Sequence, residues 1–286
     1  MSKTFSSEGG VAVIGCGWLG LPLARTLVAA GYSVAGSTTS PHKLPLLVAD
    51  GIRPHELSLS SETPAAAVQP VLAGCSVLVL NVPPGQRRAA VPDLAAYPAS
   101  LQAVADALPG SSIRHVVFVS STGVYPDDDR TMTEDDAVAA PDGPSSLLRA
   151  EYLFQQPAKQ PWQTTVLRLG GLMGPGRPPG RFLAGRSDLP QPEAPVNMLH
   201  QADAVGIIQA VITQHGPART LNVCAPSHPS RRAFYSAAAA YLGLPAPQFR
   251  HTDHSSGKLI ATERLHEALR YPFRHPDPIA SLGFCA

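Results

Sequence analysis

Lysine is almost missing from this sequence. Only Lys3, Lys43, Lys159 and Lys258 occur in 286 residues, and none of them follows a tyrosine by four positions. Charge of either sign is scarce: 22 basic and 21 acidic residues leave a net charge of +1. No field is therefore set up to draw in nucleic acid or an anionic membrane, and small molecules are the expected partners. No apolar run approaches the ~20 residues of a membrane span. Residues 1–10 also lack the apolar centre of a signal peptide, so the cytoplasm is the expected compartment. The four cysteines, Cys16, Cys75, Cys224 and Cys285, have no C-x-x-C spacing, which argues against a zinc ribbon or a disulfide framework. Cys16, Cys75 and Cys224 read as small packing residues at strand ends. His251-Thr252-Asp253-His254 has no third ligand at a fixed spacing, and no metal is expected.

What the chain does have is apolar residues, 44% of the total, and enough length for one large domain or a domain with a smaller lobe. Val11-Ala12-Val13-Ile14 is a β-like run. Gly15-x-Gly17-x-x-Gly20 follows at once, and Leu21, Leu23, Ala24, Leu27 and Val28 then recur at helical spacing. In a strand, turn and helix of this kind Gly15 permits the turn, Gly17 lets a pyrophosphate approach the backbone, and Gly20 lets helix and strand pack closely. The helix start, with Trp18 and Leu19 leading into it, supplies free N–H groups to the phosphates. The alternative is a tight turn in some other α/β protein.

A second strand runs through Val34. Where NAD-binding folds carry an Asp or Glu for the ribose 2′-hydroxyl, this chain has Ser37, Thr38, Thr39 and Ser40 with Lys43 nearby. Hydroxyls and a cation suit a 2′-phosphate, so NADP is favoured over NAD. These residues would equally serve to cap the next helix, as Ser40-Pro41 does on paper. A third strand is expected to end near Leu57–Leu59, followed by a helix over 63–73. Ser76–Leu80 reads as a parallel strand covered on both faces. Its turn, Asn81-Val82-Pro83, belongs beside the cofactor by the switch-point rule. A helix over 94–108 and a fifth strand over 113–119 lead into Ser120-Ser121-Thr122-Gly123-Val124-Tyr125, three hydroxyls at a strand mouth. The acidic residues 127–129 and 134–136 read as a solvated loop.

The glycine turn and the Ser120–Tyr125 segment resemble the extended short-chain dehydrogenase/reductase family, which includes the nucleotide-sugar epimerases and dehydratases. Arg168-Leu169-Gly170-Gly171-Leu172-Met173-Gly174-Pro175-Gly176-Arg177 looks like its sixth strand and "YGPGR" turn, with Met173 in place of Tyr. Asn197-x-x-His200-x-x-Asp203 looks like its "N-x-x-H-x-x-D" segment, and Leu221–Val223 like its seventh strand. The similarity is collinear over nearly the whole chain. It implies an α/β fold, a doubly wound Rossmann sheet of about seven parallel strands with a smaller C-terminal lobe. The dinucleotide-binding domain would span 1–171 with 196–225 returning to it, and the substrate lobe 172–195 and 226–286.

The resemblance carries several roles with it. Ser121 matches the catalytic Ser or Thr that holds a substrate oxygen, with Thr122 beside it on the substrate side. Ser120, Gly171 and Leu172 fall at the cofactor, and Arg177, Arg181 and Arg186 where a nucleotide-sugar diphosphate would lie. Arginines in such a loop are as often plain surface. His200 and Asp203 read as a strand-to-helix turn, with Asp203 capping the helix that runs to Thr213. In the C-terminal region, helices are expected over 233–242 and 261–269, the second capped by Thr262.

The family's chemistry rests on a Tyr and a Lys four residues later. The pattern would place them at Gly143 and Leu147, and both groups are absent. Tyr125, four residues past Ser121, is the substitute considered for the proton donor. These departures look like an atypical branch of the family. The expected function is an NAD(P)-dependent oxidoreductase or epimerase/dehydratase-like enzyme acting on a small polar or nucleotide-sugar-like substrate, as monomer or homodimer. The alternative is a non-catalytic NADP(H)-binding redox sensor.

Overall fold

Strand-forming runs and glycine-marked turns alternate along the N-terminal half, and the computed structural model, which describes residues 9–85, 93–155, 161–217, 219–250 and 257–285, turns each into an element. In order these are β1 (Gly10–Ile14), α1 (Gly20–Ala29), β2 (Val34–Thr38), α2 (Leu44–Ala49), β3 (Arg53–Glu56), α3 (Ala65–Leu72), β4 (Cys75–Leu80), α4 (Ala96–Ala107) and β5 (His115–Ser121). There follow β6 (Thr131–Met132), α5 (Ser146–Phe154), β7 (Gln163–Leu169), β8 (Gly171–Met173), β9 (Met198–His200), α6 (Gln201–Thr213), β10 (Thr220–Val223), α7 (Arg231–Tyr241), β11 (Leu259–Ile260) and α8 (Glu263–Leu269). The segment His251–His254 lies outside the described residues.

Seven strands form one parallel sheet in the order β10-β7-β5-β4-β1-β2-β3, the expected doubly wound arrangement. The order reverses at β1, where β2 pairs on one side and β4 on the other. The third strand ends at Glu56, a residue short of the expected stretch, because its ladder with β2 stops at the Thr38–Glu56 pair. Apolar residues at helical spacing on α1, Leu23, Ala24 and Leu27, are buried. A core of Ile14, Leu78, Leu80, Leu101, Val104, Phe118 and Phe154 fills the space between sheet, α4 and α5. No helix among the described residues is long and apolar enough to cross a membrane.

The chain divides into two compact units. The first holds Met1–Ser120, Val138–Leu167 and Ile208–Thr220, and the second holds Ser121–Ala137, Arg168–Ile207 and Leu221–Ala286. All four cysteines are buried and unpaired, as packing residues should be. Burial pushes the Cys16 and Cys224 thiols up to about 12, which leaves them inert.

Three capping expectations are corrected. Asp203 does not cap α6: its fully buried carboxylate turns to another segment, accepting from Tyr271 Oη (3.2 Å) and from the N–H groups of Arg274 (2.8 Å) and His275 (2.9 Å). Thr262 precedes α8 but makes no side-chain cap bond, and the side chain of Ser40 makes none either.

In the first unit His115 at the start of β5 is 4% exposed. Its Nε2 donates to Thr165 Oγ1 at 2.8 Å, since that hydroxyl spends its own proton on Pro217 O at 2.7 Å. Nδ1 is left buried without a partner. Burial, and then the neighbouring His215, hold the imidazole down at about 4. The unfolded chain therefore binds a proton that the folded chain refuses. Stability from this site is complete above the unfolded value near 6.5 and is lost as pH falls from there towards about 4, a loss of about 3 kcal/mol. His115→Leu is expected to flatten the melting temperature across that window; melting curves that fall in parallel for both proteins would refute the assignment.

Candidate functional site

The glycine turn belongs wholly to the first unit. Gly15 adopts φ +101°, and a Cβ there would meet Asn81 O at 2.3 Å. Its N–H donates to Ser37 Oγ (3.1 Å) and its carbonyl accepts from Asn81 Nδ2 (3.1 Å), so a residue of β2 and one just beyond β4 clamp the turn from both sides. A Cβ on Gly20 would meet Gly15 O at 2.1 Å, the close approach expected of helix and turn. Gly17 differs: it is exposed, and a Cβ there would meet nothing within 4 Å. Packing within the fold therefore does not require a glycine there. The first turn of α1 holds no acidic residue, so no carboxylate of its own competes for the positive dipole end. These features fit a bound pyrophosphate. Leu19 is buried at 4% and packs inward, while Trp18 is half-buried.

At the end of β2 and just beyond it the polar residues have separate tasks. Ser37 and Thr38 are buried, Ser37 accepting from Gly15 and Thr38 from the Ser40 N–H (3.2 Å). Thr39 and Lys43 are exposed. Beyond β4, Val82 O accepts from Tyr97 Oη at 2.6 Å, and Pro83 is exposed. At the end of β5, Ser120 Oγ donates to Glu151 Oε1 at 2.6 Å.

The places of the missing pair are filled by packing. Gly143 is buried, and a Cβ there would press on Ala140 O (3.1 Å) and Leu148 Cβ (3.2 Å); Leu147 lies against the apolar core.

The second unit begins at Ser121, whose Oγ accepts the Gly123 N–H at 3.1 Å. That bond leaves the hydroxyl hydrogen available to a ligand oxygen. Thr122 is 7% exposed, with no side-chain hydrogen bond among the described residues. Tyr125 is different. It is 3% exposed, donates to Asn222 Oδ1 (2.6 Å) and accepts from Arg168 Nη1 (2.8 Å), and burial raises its pKa despite the guanidinium. A phenol so occupied is not placed to exchange a proton with a substrate.

Arg168, only 1% exposed, also donates to Glu134 O (3.1 Å) and Ala137 O (2.8 Å). Glu134 corrects the solvated-loop expectation. Asp127 and Asp135 are exposed as expected, but Glu134 is buried, accepts from the Asn222 N–H at 2.8 Å and pairs with Arg264 at 3.5 Å. Asn222 Nδ2 then donates to Ala261 O, while Asn197 donates to Lys258 O and accepts from the Ile260 N–H, so two asparagines hold β11. Arg168 and Glu134 were hidden in a strand run and an acidic run, and only an uncompensated charge in an apolar strand marked the first.

Gly171 and Leu172 lie on β8, paired with Met198 and Leu199 of β9. Arg177 is half-buried, and Arg181 and Arg186 are exposed. His200 accepts the Ala202 N–H on Nδ1 (3.2 Å) at the start of α6, the structural turn expected. No group of three or more possible metal ligands occurs among the described residues.

Comparison with known proteins agrees with this geometry. A family profile for the NAD binding domain of 6-phosphogluconate dehydrogenase matches residues 10–120, from β1 to the end of β5. The Escherichia coli (strain K12) protein YeeZ is 34% identical over 273 residues, 94% of this chain and 97% of its own. A Methylobacillus flagellatus protein assigned to the NAD-dependent epimerase/dehydratases superposes with a TM-score of 0.75 at 26% identity, covering 98% of both chains. MoeE5, solved in complex with UDP-glucose and NAD, shares the fold with a TM-score of 0.76 at 19% identity over 97% of each chain. This chain thus belongs to the family of YeeZ and carries a Rossmann NAD(P)-binding domain, in a fold it shares with NAD-dependent epimerase/dehydratases.

Proposed function

We propose that this protein is an NADP(H)-dependent oxidoreductase or epimerase/dehydratase-like enzyme acting on a small polar or nucleotide-sugar-like substrate. The observation that carries the reading is the state of Ser121: its oxygen is occupied by the Gly123 N–H, so its proton is left to donate to a substrate oxygen. A nicotinamide cofactor, when bound, supplies or takes the hydride at a substrate carbon. The chain's own part is to seat the pyrophosphate at Gly17 and the start of α1, and to hold the reacting oxygen with Ser121, Thr122 being the second hydroxyl at hand. NADP is favoured over NAD because no carboxylate follows β2, while Thr39 and Lys43 stand exposed there. Arg177 and Arg181 are the candidates for a substrate phosphate.

A specific observation favours the second reading, a redox sensor without turnover. Packing occupies the places of the Tyr and Lys, and the Tyr125 hydroxyl is already spent. Titrating NADPH and NADH by fluorescence separates the readings at the first step: absence of saturable binding below millimolar sinks both. A panel of sugar nucleotides and small carbonyls followed by NADPH absorbance then decides between enzyme and sensor. Ser121→Ala is expected to abolish the activity found and leave NADPH affinity near normal; unchanged turnover would remove Ser121 from its role.

A further inference from the structure

Helices α4 and α5 pack on each other within the first unit, and each sends one buried polar side chain to the carboxyl end of a strand. From α4, Tyr97 donates to Val82 O just beyond β4 at 2.6 Å. Burial, reinforced by the Glu151 charge, raises its pKa, so it remains a donor. From α5 comes Glu151, with no exposed surface, which accepts from Ser120 Oγ at the end of β5 at 2.6 Å. Glu151 is the one charged side chain that α5 buries.

Sheet order says what these ends would meet. The glycine turn and β2 lie in one half, and β4 and β5 lie beyond the reversal at β1. A dinucleotide laid across such a crevice puts its second nucleotide, the nicotinamide one, over β4 and β5. Direction of the hydrogen bond matters here. A carboxylate only accepts, so Ser120 must donate to Glu151, and 2.6 Å is the length of a charge-assisted O–H···O⁻ bond. What Ser120 has left to offer is an oxygen lone pair.

We propose that Glu151 is a positioning residue that fixes Ser120 as a hydrogen-bond acceptor for a donor on the nicotinamide half of the cofactor, either a ribose hydroxyl or the carboxamide N–H. This rests on the NADP(H) reading above. Calorimetric titration of three probes tests it: NADPH, 2′-phospho-ADP-ribose, which keeps the second ribose but lacks nicotinamide, and adenosine 2′,5′-bisphosphate, which lacks both. Ser120→Ala and Glu151→Leu are each expected to weaken NADPH about tenfold and to leave the bisphosphate within about twofold. Glu151→Gln, whose amide oxygen still accepts from Ser120, stays near wild type. Added to Ser120→Ala, Glu151→Leu costs nothing further, because the effect runs through Ser120. Weakening of 2′-phospho-ADP-ribose assigns the donor to the ribose, and its constancy assigns it to the carboxamide. Equal losses for NADPH and the bisphosphate, or none for NADPH, overturn the proposal. If Glu151→Leu does not fold, Ser120→Ala and Glu151→Gln carry the same test. Wild-type protein that binds none of the probes refutes the cofactor reading itself.

Discussion

Gly20→Val is expected to unfold the glycine turn, whereas Gly17→Ala is expected to leave the fold intact and weaken NADPH binding. The two glycines look alike in the motif but differ in what surrounds them. A Cβ on Gly20 would lie 2.1 Å from Gly15 O and 3.1 Å from Asn81 Nδ2; the nearer obstacle is backbone and cannot swing away. The helix must leave the turn, at a cost of roughly 3 kcal/mol or more. Gly17 has open space beside it and no positive φ, so alanine is free of strain there. Its melting temperature is expected within about 2 °C of wild type. On the proposed function the added methyl would stand in the path of the pyrophosphate, and NADPH affinity should fall at least about tenfold, or 1.4 kcal/mol. Thermal denaturation and NADPH fluorescence on the same two variants check this. Normal binding by Gly17→Ala would mean that the phosphates lie elsewhere.

Arg168→Leu is expected to cost roughly 3 to 5 kcal/mol, the largest loss from a single side chain in the second unit. The guanidinium donates to Tyr125 Oη and to the carbonyls of Glu134 and Ala137, among other contacts, from a position with 1% exposure. Leucine fills part of the volume but satisfies none of them, and each buried oxygen left without a donor carries its own desolvation cost. Lysine is a poor substitute, since one ammonium does not present the planar fork that spans them. Tyr125→Phe provides the comparison. It loses one hydroxyl and leaves Asn222 Oδ1 unpaired, at about 1 to 2 kcal/mol. Any turnover found in the wild type should survive in Tyr125→Phe, with the loss appearing in the urea midpoint instead. A stable but inactive Tyr125→Phe would return this phenol to the chemistry.

Residue order alone was enough for the doubly wound sheet and the tight glycine turn, because both depend on local signals. Apolar runs mark strands buried on both faces, helical spacing marks α1, and three glycines mark where backbone must come close to backbone or ligand. The loss of the Tyr and Lys was equally plain, being a matter of which side chains stand at two positions. The polar interior was not legible. Glu134 sits among acidic neighbours that do face solvent, and nothing local distinguishes it from Asp135. Asp203 stands where a helix cap belongs, yet accepts from residues about seventy positions away. Arg168, Tyr125, Asn222 and Glu134 come from four separate segments, and the hydrogen-bonding state of each is set by the others. Such partners are chosen in folding by the need to pair every buried donor and acceptor, and that need is a property of the packed chain, not of any stretch of it.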